Sequence, residues 1–320
     1  MTEASAVPTI EEVLDGSPTN WGKWGPDDEV GSLNYLTEAH ALKGVGTIAS
    51  GKVFTLQRLI GDPNGDPVWP SREPATRTQI MDEATWDGPD APQFPGGLHY
   101  ADDKLDAFLQ GSTQYDALGH VWYDGKIWNG YDARTTVGGL DKASVQPLAE
   151  RGVAGRGILL DIARYRGKEN LDKGETFTHE DLIACAEAQG TTIEKHDVLI
   201  IRTNFLKLFF DQGDAFYDGF VEPGLVYSKE LVAWFQEMEI PNLVTDTIAN
   251  EVTIDPNIGV ALPLHCALMR NLGVVFTEIC DLEKLAADCA EDGQYTFLYT
   301  AAPLKVSRAS GSPVNPLVIK

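Results

Sequence analysis

The chain is poor in the residues that anchor several common chemistries. Its 320 residues include four cysteines, Cys185, Cys266, Cys280 and Cys289, with no CxxC pair. That scatter excludes a small disulfide framework and zinc-finger ligation, and fits buried thiols in a reducing compartment. There is no run of eighteen apolar residues, so no membrane span is expected. The opening MTEASAVPTIEEVLDG is acidic and polar, without the positive region, apolar stretch and small-residue cleavage site of a secretory signal. A soluble, cytoplasmic protein is the expectation. Basic residues are also scarce: 25 Lys and Arg stand against 48 Asp and Glu, a net charge of −23. Such a surface repels phosphate backbones and excludes nucleic acid as a partner. The acids are spread along the chain, so solubility explains their excess better than attraction of cations does. Neither GxGxxG after a strand nor GxxxxGK[ST] occurs, and no GxSxG elbow is present, which removes nucleotide folds and serine-elbow hydrolases.

What is present is enough apolar material for a sizeable core, 43% of residues. Residues 1–100 are rich in Gly, Pro, Trp and Asp and read as a loop-rich arm or lid. A short helix near 37–43 and a strand over 52–59 interrupt it, and 61–97 wraps the body. From residue 157 the pattern changes. Apolar strand-like runs at 157–163, 196–203, 242–246, 274–278 and 296–306 alternate with helical stretches at 179–189, 228–238, 264–271 and 282–290. Thr178, Ser228 and Asp281 are the caps. Alternation of this kind points to an α/β fold, here one domain with its catalytic body over 101–320.

Six histidines are present. His40, His179 and His196 sit in polar helical or strand-entry positions and read as structural, at or near the surface. His120 stands apart because of its neighbours, Gln110-Gly-Ser-Thr-Gln-Tyr-Asp-Ala-Leu-Gly-His120. In an extended segment alternate positions share a side, so Gln110, Gln114, Asp116 and His120 can face one pocket. Asp116 offers a hard anionic oxygen to a cation, Gln114 a neutral one, and His120 can take a proton from water held there. A polar turn satisfying its own backbone would use the same residue types. Far along the chain, His265 near a helix start and Glu278 at a strand end can return to this place. An imidazole and a carboxylate are standard ligands for zinc or manganese. His99 and the aromatic Trp122 and Tyr123 can line a pocket for a flat substrate, although core or interface packing is the commoner use of such rings.

Together these segments resemble the cyclase family of metal-dependent hydrolases, which includes bacterial kynurenine formamidase and isatin hydrolase. The family motif His-x-Gly-Thr-His-x-Asp-x-Pro-x-His aligns with Gln110 to His120. A His followed a dozen or so residues later by a Glu aligns with His265 and Glu278. The opening Trp24-Gly-Pro-Asp-Asp-Glu-Val-Gly-Ser-Leu-Asn34 and the ending from Pro303 to Val314 are similar to the longer members. The resemblance implies a β/β/α swivelling-type cyclase fold and hydrolysis of an amide, lactam or related carbonyl bond in a small molecule, with arylformamidase-like chemistry. It also implies a homodimer or homotetramer. By residue, it makes Asp116, His265 and Glu278 metal ligands and His120 the catalytic histidine; Gln110 and Thr113, in the same segment, are candidate donors to the substrate oxyanion. Both early motif histidines are glutamine here, and the motif proline is Leu118. Gln114 can offer at most a neutral oxygen, which points to one divalent ion, manganese ahead of zinc. Two other outcomes stay open: non-hydrolytic ring closure, dehydration or isomerisation at the same centre, and a binding protein that holds no metal.

Overall fold

The computed structural model describes residues 7–320, so the first six residues of the arm lie outside the described residues. Its first strands are β1 (Val53–Thr55), β2 (Thr76–Met81), β3 (Asp102–Asp106) and β4 (Gln114–Asp116). Next come β5 (Val153–Asp161), β6 (Thr176–Phe177), β7 (Val198–Arg202), β8 (Gly224–Leu225) and β9 (Asn242–Thr245). The series ends with β10 (Val275–Glu278), β11 (Thr296–Ala301), β12 (Gly311–Pro313) and β13 (Leu317–Ile319). Nine of them form one mixed sheet in the order β1-β13-β11-β5-β7-β9-β10-β4-β12. β5, β7, β9 and β10 run parallel. The flanking pairs are antiparallel. All of β7, Val-Leu-Ile-Ile-Arg, is buried, as expected of a parallel strand covered on both faces.

The helices begin where capping chemistry allows. Thr178 accepts a hydrogen bond from the Asp181 amide at the head of helix His179–Ala188, and Ser228 accepts from Leu231 at the head of Lys229–Glu237. Helix Glu38–Val45 lies on β5 at backbone contact. A Cβ on Gly44 would stand 2.6 Å from the Gly155 carbonyl oxygen, so only glycine fits there.

Four expected elements are corrected. The strand expected at 52–59 stops at Thr55. Leu56 then bonds to the Pro316 carbonyl and Gln57 bridges to Cys280, which carries the chain toward the other half of the sheet. The strand expected to reach residue 306 stops at Ala301, two residues before Pro303, which has no amide hydrogen for a ladder. The helix expected at 282–290 runs from Glu283 to Asp292 with Leu282 at its cap position, although the Asp281 carboxylate does accept from the Glu283 amide at 3.3 Å. The stretch expected as helix 264–271 is a π-helix, His265–Leu272, buried along its whole length. It closes on Gly273, at φ 75°, where a Cβ would lie 2.6 Å from the Trp128 ring.

The arm contributes β1 to the sheet edge, whereas β2 and β3 pair only with each other as an exposed hairpin that runs on to Asp106. Trp86 beside this hairpin is buried under His99, Phe94 and Tyr100. Among the described residues no helix is long and apolar enough to cross a membrane.

Candidate metal centre

Strand alternation decides which motif residues meet. Along β4, Gln114 and Asp116 project to one face and Tyr115 to the other. Tyr115 enters the core, where its hydroxyl donates to Asn242 Oδ1 at 2.8 Å. β4 lies antiparallel to β10 with Gln114 opposite Glu278. The two side chains therefore touch: Gln114 Nε2 donates to Glu278 Oε2 at 2.8 Å. Asn250 Nδ2 donates to the other oxygen of Glu278 at 3.1 Å.

His265 reaches the same place from the first turn of the π-helix. Its Nε2 lies 3.5 Å from Glu278 Oε1. Its Nδ1 is 2.7 Å from Glu251 Oε1, and the Glu251 carboxylate also accepts from the backbone amides of Leu264 at 2.7 Å and His265 at 2.6 Å. One buried carboxylate thus starts the π-helix and orients the ring. An Nδ1–H donated to Glu251 leaves the Nε2 lone pair facing Glu278. The ring edge packs on Phe276 with centroids 4.9 Å apart.

Asp116, His265 and Glu278 each offer a ligand atom, and the three atoms lie within 4.8 Å of one another in a buried space. Two oxygens beside it have no hydrogen-bond partner among the described residues, Asp116 Oδ1 and Gln114 Oε1. Unsatisfied buried acceptors are costly and call for a donor or a cation. The proton affinities carry the same sign. Burial, reinforced by the Glu278 charge, holds the Asp116 carboxyl well above its usual range despite His265 and Arg72. Burial opposes a charge on His265, but hydrogen bonds and charges from Glu251 and Glu278 outweigh it and push the imidazole up to about 10. Carboxylates crowded in low dielectric take up positive charge, as protons or as a metal.

His120 ends the turn after β4, its amide bonded to the Ala117 carbonyl, and keeps an exposed edge. Burial, with help from His265 and Arg72, pulls its imidazole down to about 3, so the ring is neutral at working pH. Leu118 fills the place of the motif proline and is fully buried. Just past Glu278, Ile279 sits at φ 56°. A β-branched residue in the left-handed region costs about 1–3 kcal/mol, so the surroundings must hold it. They do so through its amide, donated to Thr247 O, and its carbonyl, which accepts from Thr113 Oγ1 at 2.6 Å.

The remaining candidates are placed differently. The Thr113 hydroxyl, besides donating to Ile279, accepts from the Arg58 amide at 2.9 Å, which makes it a brace. Gln110 Nε2 donates to Ser310 Oγ at 3.0 Å beside β12. Tyr123 lies under the Arg270 guanidinium, 3.8 Å from ring centroid to Cζ, and Trp122 is exposed. His99 is exposed and stacked on Trp86 in the arm. Glu251 and Asn250 were not foreseen. The available signal was the polar run Thr245-Asp-Thr-Ile-Ala-Asn-Glu251 directly after an apolar strand, since the carboxyl ends of parallel strands are where α/β proteins place their sites.

Residues 39–252 match the model of the Cyclase family. That span includes the β4 segment and stops before His265. A solved structure described as a novel cyclase is 36% identical, with TM-score 0.85, over 98% of this chain and 100% of its own. Isatin hydrolase A from Labrenzia aggregata, solved with benzyl benzoate, is 20% identical with TM-score 0.58 over 90% of this chain and 98% of its own. An isatin hydrolase bound to the product analogue thioisatinate is 21% identical with TM-score 0.59, over 88% of this chain and 98% of its own. Among curated proteins nothing matches.

Proposed function

Because this chain belongs to the Cyclase family, we propose that it is a metal-dependent hydrolase cleaving an amide, lactam or related carbonyl bond of a small aromatic substrate. The observation that supports this most is the buried set of Asp116, His265 and Glu278, with their ligand atoms within 4.8 Å of one another. The unpartnered Asp116 Oδ1 and Gln114 Oε1 beside them fit a divalent cation. Two carboxylates, a neutral amide oxygen and one imidazole form an oxygen-rich set that suits manganese ahead of zinc. Such an ion, when bound, brings the ionisation of water toward neutral pH and polarises a carbonyl oxygen.

The chain's own residues do the rest. Gln114 and Asn250 hold both oxygens of Glu278 in place. Glu251 holds the His265 ring. His120, four residues past Asp116 and feeling the His265 charge, takes the proton from the attacking water and returns it to the leaving nitrogen or oxygen. As the family resemblance implies, the substrate is a small molecule and the chain assembles as a homodimer or homotetramer.

Two measurements test this. Elemental analysis after manganese or zinc loading should give one ion per chain. Turnover of an aryl lactam and N-formyl arylamine panel in 18O water should place solvent oxygen in the product. A product without that oxygen would move the reading to ring closure, dehydration or isomerisation. No retained metal, together with turnover indifferent to His120→Ala, would overturn it.

A further inference from the structure

Arg72 is a cation that the chemistry above leaves without a task. Acidic residues outnumber basic ones 48 to 25 in this chain, yet Arg72 forms no ion pair among the described residues. Its one side-chain hydrogen bond runs from Nη1 to the Gln110 carbonyl at 2.7 Å, which ties it to the segment leading into β4. The side chain is half-buried. It lines a cavity of about 520 Å³ together with Val68, Trp69, Pro70, Phe209 and Tyr217. That volume lies in the range of small-molecule sites.

The walls are preformed. The Tyr217 hydroxyl donates to the Val68 carbonyl at 2.9 Å, Trp69 meets Phe220 edge-on at 5.8 Å, and Phe209 meets Tyr217 at 6.1 Å. Phe209 and Trp69 belong to a small apolar cluster that includes Ile248 and Ile279. Ile279 follows Glu278 directly in the chain, and Ile248 lies two residues before Asn250. Arg72 is also close enough for its charge to be felt at both Asp116 and His120. Two acids share the lining. Asp66 is occupied by the backbone amides of Gly61, Asp62 and Ala75, and Asp214 stands at the exposed rim. Neither pairs with Arg72.

We infer that this cavity receives the substrate and that Arg72 pairs there with a carboxylate carried on an aryl ring. The inference rests on the hydrolase reading for its purpose but not for its binding chemistry. A guanidinium presents a planar fork that fits a carboxylate with two parallel hydrogen bonds, and the aromatic walls accept the ring. A chain of net charge −23 repels anions at long range, so an unpaired cation inside the cavity is the local feature that reverses the preference.

The test is binding of benzoate and of benzamide, equal in shape and different in charge, to the full chain in chelator, followed by tryptophan fluorescence and calorimetry. Without metal, a carboxylate cannot bind through an ion. Benzoate should bind about tenfold more tightly than benzamide at low salt, and the gap should narrow as salt rises. Arg72→Gln should remove the gap by weakening benzoate alone, and Arg72→Lys should restore part of it. Equal binding of the two probes to the wild type, or a gap that survives in a folded Arg72→Gln, overturns the inference. Since the wild-type comparison decides by itself, a variant that fails to fold does not shield it. Failure here leaves solvent-oxygen incorporation untouched, and failure of that incorporation leaves this binding result standing.

Discussion

The two halves of the nine-stranded sheet bury charge in opposite ways. In the half built from β13, β11, β5 and β7, buried charges come in matched pairs. Arg156 on β5 meets Asp197 at 2.5 Å, Arg202 on β7 meets Asp161 at 2.8 Å and Glu283 at 2.7 Å, and the fully buried Lys320 amine meets Asp288 and Asp292 at 2.8 Å. In the half built from β9, β10, β4 and β12, acids accumulate instead. Asp116, Glu222, Asp246, Glu251 and Glu278 are all buried, and the cation closest to any of them is the His265 imidazole. Among the described residues the Glu222 carboxylate is held by the amides of Ile248 and Ala249 alone, at 2.7 Å each, and burial keeps its carboxyl well above the usual range. Paired charges hold elements together, because loss of one partner strands the other in low dielectric. Unpaired acids are a cost that a fold carries where a ligand will later neutralise it.

Substitutions on the two sides should therefore separate stability from metal binding. The largest effect is expected for Asp116→Asn and Glu278→Gln. Each should weaken manganese or zinc binding more than about a hundredfold, beyond what loss of an outer partner does, and take turnover with it. The melting temperature of the metal-free protein should hold or rise, since two carboxyl groups no longer crowd one buried space. A fall in that temperature would show that the carboxylate is structural. Arg156→Met should do the reverse. It leaves Asp197 buried and alone, and thermal or denaturant unfolding should show a loss of about 3–5 kcal/mol with metal affinity unchanged.

Glu251→Gln is expected to act in between. It keeps the size of the side chain but weakens the anionic acceptor for the His265 ring and two backbone amides. Metal affinity, read by calorimetry, should drop about 10–100-fold. An unchanged affinity would remove Glu251 from the site. The smallest effect concerns acid stability. The folded His120 pKa, about 3, lies below the ordinary imidazole value of 6.5, so the unfolded chain binds more protons between the two. Stability should fall as pH drops from 6.5 toward 3, and His120→Asn should show a shallower slope in denaturant melts across that window. Parallel slopes would place His120 in a more solvated setting than its neighbours imply.

These two halves were not equally legible in the sequence. The β-branched run Val-Leu-Ile-Ile at 198–201 reads as a strand, and the caps Thr178 and Ser228 mark the helices that follow them. At the centre, Asp116, His265 and Glu278 have residue types that suit a divalent ion, but the family resemblance was what singled them out; the structure brings them together. Glu251 and Asn250 were hidden by chemistry that is ordinary in a loop. Their roles depend on strand register and on a π-helix, and a stretch buried on every side carries no face for periodicity to detect. Gln114 has two ends, and only the register of β4 on β10 determines that its amide nitrogen meets Glu278. Thr113 and Gln110 share the motif but reach Ile279, Arg58 and Ser310, because Thr113 alternates away from Gln114 and Gln110 lies in the turn before β4, where strand alternation does not hold. His99 and Trp122 were nominated by composition and proximity in the chain, neither of which fixes orientation.

The most direct test of the unpaired-acid centre is calorimetric titration of Mn2+ into chelator-treated wild type, Asp116→Asn and Arg156→Met under identical conditions. One equivalent should bind to the wild type and to any folded Arg156→Met, with a proton released as His265 gives way to the ion, and none to Asp116→Asn. Absence of binding to the wild type, or equal binding to Asp116→Asn, would contradict it.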